Sequence, residues 1–163
     1  MVPRDKEDWN RIFKGGVAAG VFGGIVVALF GVVANVLEGR DFWAAFKGAG
    51  APFLGERAMQ PGFDSTAVIV GVLSHMAVSI AWAIPFAMLV YGLSRGATLV
   101  SSVLWGFIVW VGMYYVVLPM VGLQQIAASV PVGMAIVEHV IFAVAVAVGF
   151  LPYQRLKMVL PAH

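Results

Sequence analysis

The chain has 163 residues, of which 61 % are hydrophobic and 11 % charged, and its mean hydropathy is +0.95. This composition excludes an ordinary soluble domain, in which about 25 % of residues are charged. The absence of cysteine excludes disulfides, iron–sulfur clusters and thiolate zinc sites. The sequence therefore predicts one integral membrane domain over residues 1–163.

The first 14 residues, MVPRDKEDWNRIFK, are predicted to form an amphipathic segment at the membrane surface. Trp9 and Phe13 are four residues apart, which puts both rings on one side of a helix at the depth of the lipid headgroups. The apolar run that follows is far longer than the hydrophobic region of a signal peptide. We therefore interpret the segment as a retained anchor.

The first predicted span, 15–37, carries a stripe of small residues at every fourth position, namely Gly16, Gly20, Gly24 and Ala28. Small residues at this spacing let another helix approach closely. That helix belongs either to this chain or to another membrane subunit. Gly16, Gly20, Gly24 and Ala28 are therefore candidate partner-docking residues.

Residues 38–65 are too apolar for a disordered linker and too often interrupted by Gly and Pro for a further span. They are predicted to form an interfacial outer loop with a short helix around Phe42, Trp43 and Phe46. The three remaining spans are predicted at 66–91, 97–118 and 131–152. The predicted fold is all-α, a four-helix transmembrane bundle.

The distribution of basic residues predicts the orientation of this bundle. Four spans put the amino terminus, the turn at Arg95 and the carboxyl tail on one side of the membrane, where most of the Lys and Arg lie. Only Arg40, Lys47 and Arg57 lie on the other side. The positive-inside rule then places both termini in the cytoplasm, in a bacterial inner membrane. Basic residues so placed contact lipid headgroups, and a nucleic-acid partner is not expected.

Three ionisable residues lie inside the predicted spans at one depth. His75 in the second span and His139 in the fourth are both roughly 12 to 14 Å from the same membrane edge at the helical rise of 1.5 Å per residue. Each histidine continues a stripe of small residues, and Glu138 precedes His139. Ionisable side chains are costly in a bilayer, so these three are expected to meet inside the bundle.

Three interpretations of His75, Glu138 and His139 remain open. One imidazole hydrogen-bonds the Glu138 carboxyl for purely structural reasons. Alternatively, His75 and His139 bind a haem or another tetrapyrrole, or join Glu138 around a divalent metal. In the third interpretation, Glu138 and the histidines relay protons or line the path of a small solute.

Residues 70–152 carry features of a known group of proteins. These are His75, the glycines and tryptophans of the third span, the run LPMVG at 118–122, and a last helix with an acid and a histidine. In these respects the chain resembles the YagU-like small bacterial inner-membrane proteins. The resemblance implies about four spans and an inner-membrane location, and it implies no activity.

No phosphate loop, dinucleotide fingerprint, GxSxG or HExxH motif occurs in the sequence, so the chain is not expected to be an enzyme. The small-residue stripes favour an accessory or assembly subunit of a larger bacterial membrane complex, respiratory or photosynthetic. The alternatives are a redox protein that uses His75 and His139 and a proton or small-solute transporter that uses Glu138.

Overall fold

The computed structural model describes residues 5–155, with the backbone alone at positions 126, 127 and 129. No β-strand occurs in this range, and the chain is helical between its turns. Its α-helices are, in chain order, α1 (Lys6–Leu37), α2 (Ala44–Lys47), α3 (Ala51–Leu54), α4 (Ser65–Val90), α5 (Arg95–Gly112), α6 (Leu118–Met120), α7 (Gln124–Ser129) and α8 (Val132–Phe150).

Four helical segments are long and apolar enough to cross a membrane. They are α1 with 32 residues, α4 with 26, Arg95–Met120 with 26 and Val132–Tyr153 with 22. About 20 apolar residues suffice to span the hydrocarbon core. The prediction of an all-helical chain with four candidate spans is thereby confirmed.

The amino-terminal segment differs from the prediction, because it is not a separate surface helix. Residues 1–4 lie outside the described part of the chain, and α1 runs from Lys6 without a break into the first span. Asp5 caps the helix, since its side chain accepts a hydrogen bond from the Asp8 backbone N–H at 2.8 Å. The Asp8 side chain in turn accepts from the Asp5 N–H at 3.4 Å, which completes a capping box.

The third span contains a π-helical turn that the hydrophobic pattern does not reveal. α5 ends at Gly112, and residues 113–117 form the π turn, in which the Leu118 N–H donates to the Met113 carbonyl five residues earlier. Pro119 lacks the N–H that would continue the α-helical ladder. In this wider turn, Met113 lies beside Trp82 of α4 and Tyr114 lies beside His139 of α8.

Glycines on two faces of α1 let it pack against two neighbours at once. On one face, a Cβ added to Gly20 would lie 2.6 Å from the Ile80 Cα in α4. On the other, a Cβ added to Gly23 would lie 2.5 Å from Val146 in α8. Real Cβ atoms do not approach so closely, so α1 lies between α4 and α8 only because both positions are glycine.

The fourth helix, α5, completes the arrangement by packing on α8. A Cβ at Gly106 would lie 2.8 Å from the Val140 Cα, so this contact also depends on a glycine. The ring of Trp82 in α4 reaches across to Gly112 of α5. The four helices thus surround an apolar core that includes Ile12, Ala19, Phe86, Trp105, Val109, Phe142, Val146 and Phe150.

Paired polar residues close one end of the helices, here called the terminal end. Asp8 is 6 % exposed and accepts a hydrogen bond from the Tyr91 hydroxyl at 2.7 Å and two from Arg155 Nη1 at 3.1 Å. These contacts join the start of α1, the α4–α5 turn and the residues that follow α8. The three segments predicted to share one side of the membrane therefore do lie together.

At the opposite end, residues 38–64 form a compact layer, here called the cap. Lys47 is 1 % exposed and donates hydrogen bonds to the carbonyls of Gln60 and Gly62, and it lies 3.3 Å from Asp41. Burial raises the pKa of Asp41, but the Trp43 N–H and Lys47 outweigh that effect and leave the pKa below its usual value. Lys47 thus links the start of the cap, at Asp41, to its end, at Gln60 and Gly62.

A second ion pair joins the cap to α4. Arg57 donates to both carboxylate oxygens of Asp64, at 2.7 and 3.0 Å, and Asp64 caps α4 by accepting from the Ala67 N–H at 3.1 Å. The hydrogen bond from Arg57 is the main reason that the pKa of Asp64 falls from 3.8 to about 2.

Replacing Gly20 by alanine tests the close approach of α1 and α4. The new methyl group would collide with the backbone of Ile80, so we expect G20A to lose about 1–3 kcal/mol of unfolding free energy. Unfolding in detergent by heat or denaturant measures this loss. The matched control is G31A, whose methyl group would meet only the Ala45 Cβ at 3.8 Å. Equal stability of G20A and G31A would contradict the packing described.

The Arg57–Asp64 pair predicts a pH dependence of stability. Because the folded pKa of Asp64 is lowered to about 2, its contribution is complete above the unfolded value of 3.8 and disappears as the pH falls through 2. D64N keeps an N-cap oxygen but loses the charge. Thermal unfolding should therefore show wild type above D64N at pH 6, with the difference vanishing near pH 2. A difference that is constant with pH would refute this.

Candidate functional site

A central cavity of about 190 Å³ lies between α1, α4, α5 and α8. The three ionisable residues singled out in the sequence, His75, Glu138 and His139, all line it. Its other walls are formed by Val27, Val78, Ser79, Trp82, Val109, Met113 and Phe142. The two histidines, predicted to lie at one level, are therefore brought to the same space.

The small-residue stripes account for this convergence. Gly71, Ser79 and Ala83 are buried along α4, and so are Ala135, Ala143 and Ala147 along α8. Each histidine interrupts its stripe, so it faces inward with its small neighbours. The residues one helical turn before and after each histidine are small, and this leaves the space in which the cavity forms.

His75 is held by the backbone of α1. Its Nε2 lies 2.9 Å from the Gly24 carbonyl oxygen, which can only accept a hydrogen bond, so Nε2 carries the proton. In the tautomer that has its single proton on Nε2, the lone pair is on Nδ1. Gly24 allows this contact because it is itself in close packing with α4, where its added Cβ would lie 2.9 Å from Ser79 Oγ.

His139 is held by its own helix. Its Nδ1 lies 2.7 Å from the Ala135 carbonyl oxygen one turn earlier, so Nδ1 carries the proton and Nε2 has the lone pair. The ring meets Tyr114 of the π turn edge to face, with centroids 5.7 Å apart and planes at 79°. The orientation of His139 is thereby fixed from two sides.

Glu138 has no hydrogen bond or ion pair with any residue that the structure describes. The hydrogen bond between its carboxyl and an imidazole, one of the three interpretations of the sequence, is not formed: each histidine is bonded through one nitrogen to a backbone carbonyl, and neither is bonded to Glu138. The charges that act on Glu138 from a distance are those of Arg40 and Glu38, which pair with each other at 2.6 Å. The Glu138 carboxyl thus lines the cavity without a hydrogen-bond partner among the described residues.

Grouping of side chains bears on the predicted metal site. Across residues 5–155, no three side chains of His, Cys, Asp or Glu are grouped so that they could hold a metal ion. A tetrapyrrole between His75 and His139 also lacks space. Pockets for drug-sized ligands measure about 300–1,000 Å³, whereas this cavity has about 190 Å³.

Two further wall residues were not found by sequence reasoning as parts of the site. Trp82 donates its Nε1–H to the Met113 sulfur at 3.2 Å and packs edge to face on Trp105 at 6.1 Å. Trp82 follows His75 by seven residues, two helical turns, so it lies on the same face. That spacing was the available signal, whereas the position of Met113 depends on the π turn.

The predicted docking stripe is used within the chain. Gly16, Gly20 and Gly24 are buried against α4, so their face of α1 is already covered and is not available to another subunit. Ala28, the fourth residue of the stripe, lines a second cavity of about 180 Å³. Its walls are Ile25, Ala28, Leu29, Ala45, Phe46, Val72, His75 and Met76, and we call it the apolar cavity.

Comparison with known proteins gives no further guidance. No protein-family model matches the chain, and neither a curated protein nor a solved structure matches it. The resemblance to the YagU-like group accordingly stays a prediction, and the function has to be argued from the site.

Proposed function

We propose that this chain is a multi-pass protein of the bacterial inner membrane that binds a small solute inside a transmembrane bundle of α1, α4, α5 and α8. Both termini lie in the cytoplasm in this proposal, and the cap covers the outer mouth. The single observation that carries it is the convergence of His75, Glu138 and His139 on one cavity. Ionisable groups at membrane depth usually mark a pathway or a binding site.

The state of Glu138 supports a ligand over a purely structural role. A carboxylate away from water is costly unless it is paired. The other buried or half-buried acids of the described chain are paired: Asp8 with Tyr91 and Arg155, Asp41 with Lys47, and Asp64 with Arg57. Glu138 has no such partner among the described residues, and in this proposal a bound solute supplies the missing interaction.

Access to the cavity also supports solute binding. The cavity is open to the surface of the chain, and Val78 in its wall is 38 % exposed. Glu138 and His139 are half-buried. A small solute can thus enter without the helices coming apart, as transport or reversible binding requires.

The competing functions have less support in the geometry. The accessory-subunit interpretation stays a prediction, but the glycine stripe that favoured it is covered by α4. A tetrapyrrole redox protein would need a larger cavity, and a metal protein a closer group of ligands. We propose no enzymatic activity, since neither histidine of the cavity is hydrogen-bonded to the Ser79 hydroxyl, the nucleophile in its wall.

Ligand-induced stabilisation tests the proposal. The purified protein in mild detergent is screened by thermal unfolding against amines, carboxylates, amino acids and sugars. At least one class should stabilise the wild type, by about 2.7 kcal/mol at 100 times its Kd, and leave Glu138→Gln unchanged. The control is Glu56→Gln, which removes the same charge from the exposed cap surface. If no class stabilises the wild type, or if E138Q responds equally, the proposal fails.

A further inference from the structure

We infer that the solute is an organic ammonium ion with a short apolar substituent, whose charged group lies in the central cavity and whose substituent lies in the apolar cavity. This inference rests on the proposed function and names the class of ligand for the same site. Three features carry it: the free polar atoms of the central cavity, its aromatic wall, and the second cavity that shares His75.

Most of the polar atoms that the central cavity offers to a ligand are hydrogen-bond acceptors, and the Ser79 hydroxyl, which also lines it, can donate or accept. His75 Nε2–H and His139 Nδ1–H are used by backbone carbonyls, so the remaining nitrogens of the singly protonated rings offer lone pairs. The Glu138 carboxylate is also an acceptor. No Lys or Arg lines the cavity, and the Trp82 N–H is taken by Met113. Such a site suits a ligand that donates hydrogen bonds and carries positive charge, and it repels an anion.

An ammonium ion fits this cavity better than an inorganic cation. A divalent metal requires several ligands grouped around one point, and residues 5–155 contain no such group of His, Cys, Asp or Glu. Trp82 and Phe142 instead supply aromatic surface to the wall. Ammonium groups are attracted to aromatic faces and need only one carboxylate as counter-ion.

The second cavity accounts for the rest of the ligand. Apart from His75, its walls are apolar side chains from α1, α4 and the cap, among them Ile25, Leu29 and Phe46. His75 lines both cavities. Together their volumes, about 190 and 180 Å³, reach the range of small-molecule sites, on the order of 300–1,000 Å³. A ligand that fills both would pass His75 and place a hydrocarbon group beneath the cap.

A homologous series of alkylammonium ions tests this inference. Binding of methyl- to octylammonium to the full-length protein in nanodiscs is measured by calorimetry, with alkanols and alkanoates of equal length as probes. Affinity should rise about fourfold per methylene until the apolar cavity is full and then stop rising. Alkanols and alkanoates should bind at least tenfold more weakly. Subtracting the signal of Glu138→Gln removes partition into lipid.

Ala28→Leu separates the two halves of the site. Ala28 lines the apolar cavity only, so a larger side chain there should shorten the optimal alkyl chain and leave methylammonium binding unchanged. G31A, on the same helix and outside both cavities, is the control and should change neither. Affinity that is independent of chain length, or A28L identical to wild type, would overturn the inference.

Other outcomes distinguish this inference from the proposed function. If a carboxylate, sugar or inorganic cation binds and the binding is lost in E138Q, the central cavity is a solute site but the ligand class is wrong. If none of these probes and no solute of the wider screen binds, both proposals fail together.

Discussion

The close approach of α1 to two helices at once is the constraint on which the site depends. Gly20 and Gly23 lie on adjoining faces, one against Ile80 of α4 and the other against Val146 of α8. In a bilayer, helices gain little from apolar burial and associate through such backbone contact and through hydrogen bonds. With α1 between them, α4 and α8 present His75 and His139 to the same cavity, and the Gly24 carbonyl comes within hydrogen-bond distance of His75.

The two ends of the molecule and its middle differ in how polar groups are satisfied. At the terminal end the Gln154 amide donates to the Val90 carbonyl and to Thr98, and its oxygen accepts from the Gly92 N–H. In the cap, Lys47 is bonded to two carbonyls and paired with Asp41. These groups rigidify the ends. The Glu138 carboxyl, in contrast, has no such partner among the described residues. A ligand bound in the central cavity should therefore raise the free energy of unfolding more than one bound at either end.

The sequence predicts the coarse fold well and the site only in part. Span length and hydropathy are local properties, so the four long helices could be located. The stripes of small residues at every fourth position correctly predicted that His75 and His139 face inward. The partners of those rings could not be predicted, because they are backbone carbonyls whose distance depends on helix packing. A second glycine face, formed by Gly15 and Gly23, is visible in the sequence as two pairs of adjacent glycines in α1. Its role could not be predicted, because it depends on α8 packing against that face. The π turn at 113–117 ends two residues before Pro119, which the sequence indicates only as a helix end.

The most direct test of the account asks whether the wall beside His75 faces a cavity that admits a charged solute. The chain has no cysteine, so Ser79→Cys and Leu73→Cys can each be treated with aminoethyl methanethiosulfonate, a small ammonium reagent, without background. Ser79 lines the central cavity and is 4 % exposed, whereas Leu73 is 65 % exposed on the apolar outer surface. A thiol in hydrocarbon stays protonated and unreactive. The account predicts modification of S79C and not of L73C in lipid, despite the lower exposure of position 79; the opposite order, or an inert S79C, would contradict it.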